Sequence, residues 1–180
     1  MNNLGIEALT VYCMSPVEFI HLAADLGCGH ISTGLNSANF GQPNAVEWSL
    51  RDDPALRRAT LAAMAERGVA ISLGEGFAIR PGLDVADRQL DLELFKALGV
   101  NRINTVVMDP DRSRALDQIG TLATMANAVG IETTLELPPT SIIGGLAAGV
   151  AALNELRLPN LRLLIDTMHF VRSGSSIADL

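Results

Sequence analysis

Thr121-Leu122-Ala123-Thr124-Met125-Ala126-Asn127-Ala128-Val129-Gly130-Ile131-Glu132-Thr133-Thr134-Leu135-Glu136 is the stretch on which the fold turns. Its first half continues an apolar pattern at helical spacing, Leu116, Ile119, Ala123 and Ala126. Gly130 then stops the helix, because glycine takes the left-handed conformation that ends helices. Ile131–Glu136 follows as a strand whose residues are mostly apolar or hydroxyl-bearing.

The same succession recurs on either side. Gly68, Gly99 and Gly130 are each 31 residues apart, and each lies between a helix and a strand. A helix carrying Leu56, Ala59 and Ala63 precedes Gly68 and the strand Val69–Leu73. A helix with Leu90, Leu94 and Ala97 precedes Gly99 and the strand Arg102–Met108. Downstream, a helix with Leu146, Val150 and Leu153 leads to the strand Leu161–Asp166, and a sixth helix is expected to start near Ser175. Upstream, Leu4–Cys13 reads as the first strand, and Ser15 reads as an N-cap with Pro16 at the first helical position. The helix through Phe19, Ala23 and Leu26 closes at Gly27, and His30–Thr33 is the second strand. The polar segment from Gly34 to Trp48 reads as a loop.

Repeated βα units specify a parallel sheet, since parallel neighbours need a crossover helix. The nearly all-apolar runs Val69–Leu73 and Val106–Met108 fit strands covered on both faces. A closed (βα)₈ TIM barrel has eight strands and about 250 residues. Residues 1–180 therefore read as a single incomplete TIM-barrel domain, the first six βα units, with two more units expected beyond Leu180. An open doubly wound sheet is the alternative architecture.

Composition narrows the function classes. A hydrophobic content of 48% and a charged content of 18% are those of a globular protein. With one Trp, one Tyr and five Phe, core volume must come mainly from aliphatic side chains. A net charge of −7, with Lys96 the only lysine, argues against nucleic-acid binding, which draws on Lys and Arg paired to phosphates. Cys13 and Cys28 give neither a disulfide framework nor a zinc-ligand spacing. The N-terminus lacks a signal peptide pattern. The weakly polar run Ile142–Leu153 is 12 residues, short of the roughly 20 that span a bilayer. A soluble cytoplasmic protein acting on a small molecule, without a nucleic-acid or membrane partner, is the expectation; a homo-oligomer stays open.

Reactive side chains in a barrel stand at the C-terminal ends of strands and in the loops just beyond. That rule selects Glu75 after the third strand, Asp109 after the fourth, Glu136 ending the fifth and Asp166 ending the sixth, with His169 three residues further. Glu136 precedes Leu137-Pro138-Pro139, a poor setting for a solvated carboxylate, and Asp166 ends a run expected to be deeply buried. A buried carboxylate needs a partner or a metal. Two oxygen ligands plus an imidazole suit Mn²⁺, Mg²⁺, Co²⁺ or Zn²⁺. The plainer alternative has Asp166 capping the following turn and Glu136 paired with an arginine such as Arg172. His21 falls in the first helix in a packing or surface role, and His30 begins a strand at the end away from the site. Glu75 in its glycine-flanked loop and Arg172 are the further candidates for substrate contact. No dinucleotide or phosphate-loop pattern and no nucleophile elbow occurs.

The segment Leu164-Ile165-Asp166-Thr167-Met168-His169-Phe170, with Glu136 30 residues before Asp166, resembles the xylose isomerase-like TIM barrels. That family includes sugar phosphate isomerases and epimerases, dehydratases and an endonuclease branch. The resemblance implies that Glu136 and Asp166 bind a divalent cation and that His169 hydrogen-bonds a substrate oxygen. It also implies that Glu136 moves a proton beside a carbonyl, with no organic cofactor. The family's two remaining ligands, a histidine and a glutamate, come from the seventh and eighth strands, so this chain alone is expected to hold an incomplete site. The expected activity is a metal-dependent isomerase or epimerase of a small ketose, hydroxy-carbonyl compound or sugar derivative working through an enediolate. The alternatives are a dehydratase acting on a cyclitol or dehydroshikimate-like substrate, and a truncated, non-catalytic binding protein. Endonuclease activity is disfavoured by the acidic balance.

Overall fold

The computed structural model describes residues 4–12, 14–38 and 46–180. Its strands are β1 (Gly5–Ile6), β2 (His30–Thr33), β3 (Ala70–Ile79), β4 (Arg102–Val107), β5 (Glu132–Glu136) and β6 (Leu161–Leu164). They alternate with helices α1 (Pro16–Asp25), α2 (Pro54–Arg67), α3 (Gln89–Ala97), α4 (Arg112–Ala128), α5 (Leu146–Leu156) and α6 (Thr167–Arg172). The strands form one sheet in the order β1-β2-β3-β4-β5-β6, and the pairs β1–β2, β2–β3, β4–β5 and β5–β6 are parallel. This is the partial (βα) barrel that the glycine period specifies. Among the described residues no helix is long and apolar enough to cross a membrane.

Local chemistry explains the boundaries. Ser15 caps α1 through a reciprocal pair: its hydroxyl accepts from the Glu18 N–H, and its own N–H donates to Glu18 Oε2 at 2.8 Å. Pro16 fills the first helical position, where no intrahelical donor is needed. Asp53 and Pro54 repeat the device on α2. Gly68, Gly99 and Gly130 have φ of 66°, 79° and 74°, so all three occupy the left-handed region inferred from the sequence.

Three of the expected boundaries are clearly displaced. Only Gly5–Ile6 of the first strand is extended, because the Glu7 carboxylate accepts the Leu9 N–H at 2.7 Å and turns Ala8–Thr10 into a 3₁₀ turn. Cys13, the expected end of that strand, lies outside the described residues, as does 39–45 of the polar loop. Strand β3 runs to Ile79 rather than Leu73, so Glu75 sits within the strand and not in a loop after it. The sixth helix begins at Thr167, not near Ser175, because Asp166 is its N-cap. The run Leu161–Asp166 is accordingly not deeply buried; only Leu161 in it is.

The packing resolves into two compact units. The first comprises Met1–Glu75 and Glu93–Asn101, with Phe19, Ile20, Ala23, Ile31, Ile71 and Phe95 in its core. Here Gly74 has a tertiary purpose: a Cβ at that position would lie 3.0 Å from the Phe95 ring. The second unit, Gly76–Leu92 and Arg102–Leu180, holds the residues of chemical interest. Its register pairs Asn104 with Thr134, Thr134 with Arg162 and Glu136 with Leu164. Successive side chains alternate between the sheet's faces. Asn104, Thr134 and Glu136 therefore share one face, and Ile103, Thr133, Leu135 and Leu163 share the other. Leu163 packs at Gly149 of α5, so this second face is the helix-covered one.

Candidate metal centre

Glu136 is the last residue of β5, and Asp166 follows β6 by two residues. Adjacent parallel strands ending in register bring their carboxylates to the same end of the sheet. Asp166 has extended backbone, φ −79° and ψ 121°, and its Oδ1 accepts the His169 N–H at 2.9 Å. That cap starts α6 and turns His169 back toward β5. The His169 Nε2 lies 3.4 Å from Glu136 Oε1, with the two side chains 21% and 17% exposed. One ligand atom each from Glu136, Asp166 and His169 lies within 4.8 Å of the others. Leu137, Leu146, Leu164 and Phe170 furnish apolar wall around Asp166 and His169.

The other oxygen of Glu136, Oε2, accepts from Asn104 Nδ2 at 2.7 Å. The expected arginine partner is not the one found: Glu136 meets Asn104 and His169, while the exposed Arg172 has its guanidinium 3.8 Å from Met168 Sδ. The capping alternative for Asp166, by contrast, is realised, and it engages only one of the two carboxylate oxygens.

The remaining candidates are placed elsewhere. Asp109, 3% exposed, is paired with Arg114 and accepts the Asp111 N–H at 2.9 Å. Arg114 also donates to the Arg80 and Leu83 carbonyls, so this pair ties the segment after β3 to α4. Glu75 is half-buried within β3. His21 Nδ1 meets Arg67 Nη1 at 2.9 Å in a packing role. His30 sits at the start of β2, opposite Gly5 and Ala70. Asn104 escaped the sequence reading. Its signal was an amide side chain in the strand Arg102–Val107, whose residues after Arg102 are otherwise apolar or hydroxyl-bearing; Asn104 is only 4% exposed.

Two carboxylates and an imidazole are the donor set of Mg²⁺, Mn²⁺ or Zn²⁺ sites, with metal–ligand distances of about 2.0–2.2 Å. Such distances put donors roughly 3 to 4.4 Å apart, so a 4.8 Å cluster needs only small side-chain adjustments. The buried His169 Nδ1 has no hydrogen-bond partner, which leaves the ring held by Nε2 and packing alone. The residues fit a divalent cation.

No protein-family model and no curated protein matches the sequence. Solved structures do. A probable 3-DHS dehydratase, AsbF, involved in petrobactin synthesis in Bacillus anthracis, superposes with a TM-score of 0.75 at 17% identity, over 97% of this chain and 66% of that one. The IOLI protein with a bound zinc atom gives 0.76 at 17% identity, over 98% and 67%. A D-psicose 3-epimerase, in the presence of D-fructose, gives 0.73 at 16% identity, over 97% and 67%. The chain thus spans about two-thirds of the length of these structures. The fold is that of a partial TIM barrel, and the clustered donors are a candidate site for a divalent cation. The fold is that of the xylose isomerase-like TIM barrels.

Proposed function

We propose that the chain carries the metal-binding part of a divalent-metal-dependent isomerase or epimerase. Its substrate would be a small ketose, hydroxy-carbonyl compound or sugar derivative in cytoplasmic carbohydrate metabolism, handled without an organic cofactor. The observation that carries this reading is the convergence of Glu136, Asp166 and His169 within 4.8 Å at the ends of neighbouring strands. The likeness to zinc-bound IOLI and to an epimerase supports it.

Glu136 and Asp166 would hold the cation, with His169 beside them. When bound, such a cation polarises a substrate's carbonyl and hydroxyl oxygens and stabilises the negative charge of an enediolate. Glu136 removes the proton from the carbon next to the carbonyl. The His169 Nε2 hydrogen-bonds a substrate oxygen and steadies it during that transfer. The apolar surfaces of Leu137, Leu164 and Phe170 limit water around the charged groups. Exposed Arg172 is the proposed contact for the rest of the substrate.

A dehydratase is the second reading, favoured by the likeness to AsbF. It begins with the same proton removal and differs in expelling a hydroxyl group afterwards. Proton NMR in D₂O with MgCl₂ and a panel of ketoses separates the two. An isomerase exchanges the proton beside the carbonyl for deuterium, whereas a dehydratase generates new alkene signals. Glu136→Gln is expected to slow exchange by about 10²–10⁴-fold; exchange at the unsubstituted rate would contradict the mechanism.

A further inference from the structure

We propose that Asn104 is a positioning residue that decides which oxygen of Glu136 is offered to the cation. It holds Oε2, so that Oε1 alone is the ligand atom. The proposal rests on the metal-centre reading above.

Asn104 is 4% exposed and sits in β4 between Ile103 and Thr105, both essentially inaccessible. A buried amide is costly unless its donors and acceptor are used. The register explains how they are used. Asn104 stands opposite Thr134, and Glu136 is two residues further along the same face of β5. The amide therefore reaches diagonally toward the strand end. Its Nδ2 lies 2.7 Å from Glu136 Oε2, the length of a charge-assisted hydrogen bond. The orientation of the amide follows from chemistry, because an ionised carboxylate only accepts, so the NH₂ group must face it. The Asn104 Oδ1 is then left toward the Thr134 hydroxyl, 3.3 Å away, and that hydroxyl also lies 3.0 Å from the Ile103 carbonyl. Strand β4 thus fixes the amide, and the amide fixes the carboxylate.

The consequence is directional. With Oε2 committed, the Glu136 carboxylate presents Oε1 on the side of His169 Nε2, 3.4 Å away. A carboxylate held this way binds through one oxygen. Small cations that demand compact geometry accept such a ligand, whereas Ca²⁺ gains from carboxylates free to bind through both oxygens. Asn104 should therefore favour Mn²⁺ or Mg²⁺ over Ca²⁺, a property unrelated to packing.

The test is calorimetric titration of the full chain with MnCl₂ and, separately, CaCl₂. Asn104→Leu keeps the volume and removes the donor. Asn104→Ala empties the position and serves if the leucine variant fails to fold. Either variant is expected to bind Mn²⁺ about 10–100-fold more weakly, with a smaller change for Ca²⁺. Glu136→Gln is the control for the site itself. Wild-type Mn²⁺ affinity in the Asn104 variants, alongside lost binding in Glu136→Gln, would overturn the positioning role alone. Unchanged binding in Glu136→Gln as well would instead remove the metal centre on which it stands.

Discussion

Replacing Asp166 separates the two things its carboxylate does. One oxygen caps α6 by accepting the His169 N–H at 2.9 Å. The cluster with Glu136 and His169 asks for negative charge as well. Asparagine caps about as well as aspartate, but it is neutral; alanine does neither. Losing a cap costs about 1 kcal/mol, which shifts the melting temperature of a chain this size by about 2–4 °C. Metal-free Asp166→Ala should therefore melt about 2–4 °C below wild type, and metal-free Asp166→Asn should match wild type. Added Mn²⁺ at a hundred times its Kd stabilises a binding-competent protein by about 2.7 kcal/mol, roughly 5–11 °C here. Both variants should lose most of that rise. Differential scanning fluorimetry with and without MnCl₂ reads all four quantities. A full metal-induced rise in Asp166→Asn would refute the ligand role and leave Asp166 as a cap alone.

The pair of Asp109 and Arg114 offers a stability test away from the candidate site. Arg114→Met strands a carboxylate that is 3% exposed, and breaking a buried pair costs about 3–5 kcal/mol. The lower end applies because Arg114 is 32% exposed. Urea unfolding should show this, with the double variant Asp109→Leu/Arg114→Met costing less than Arg114→Met; a loss below about 1 kcal/mol would mean that the pair behaves as a surface pair. On α1, the Ser15 N–H beside Glu18 holds that carboxyl below its ordinary value of 4.5. A lowered folded pKa makes the contribution present above pH 4.5 and lost as the pH falls through the folded value. Glu18→Gln keeps an acceptor at the cap and should flatten the melting-temperature decline in that acid range; an identical decline would show that Glu18 contributes nothing to it.

What sequence alone discloses divides along physical lines. Gly68, Gly99 and Gly130 were legible because a left-handed helix end is a demand of the local backbone, visible in one residue's identity. The meeting of Glu136 with Asp166 was legible because it needs only strand order and strand ends. The length of β3 was not. Gly74 and Gly76 flank Glu75 and read as a loop, yet Gly74 is there for the Phe95 ring, a contact made through folding. The start of α6 was open for a related reason: after an apolar run Asp166 reads equally as a strand end or as a cap, and the bond to the His169 N–H decides for the cap. Asn104 could not be connected to Glu136, which is 32 residues away, without the register of β4 on β5.

The two acids share a design that neither shows by itself. Glu136 has Oε2 tied to Asn104, and Asp166 has Oδ1 tied to the His169 backbone. Each carboxylate is therefore anchored to the fold through one oxygen, with its other oxygen left outside that bond. A free carboxylate must surrender rotamer freedom when it takes a ligand, whereas an anchored one has already done so. The anchors come from different levels of structure, one from a neighbouring strand and one from the first turn of a short helix. The two acids should accordingly respond differently to perturbation. Loss of the Asn104 amide should weaken the cation site while leaving α6 in place. A change that unwinds α6 should displace Asp166 and His169 together and spare the bond between Asn104 and Glu136.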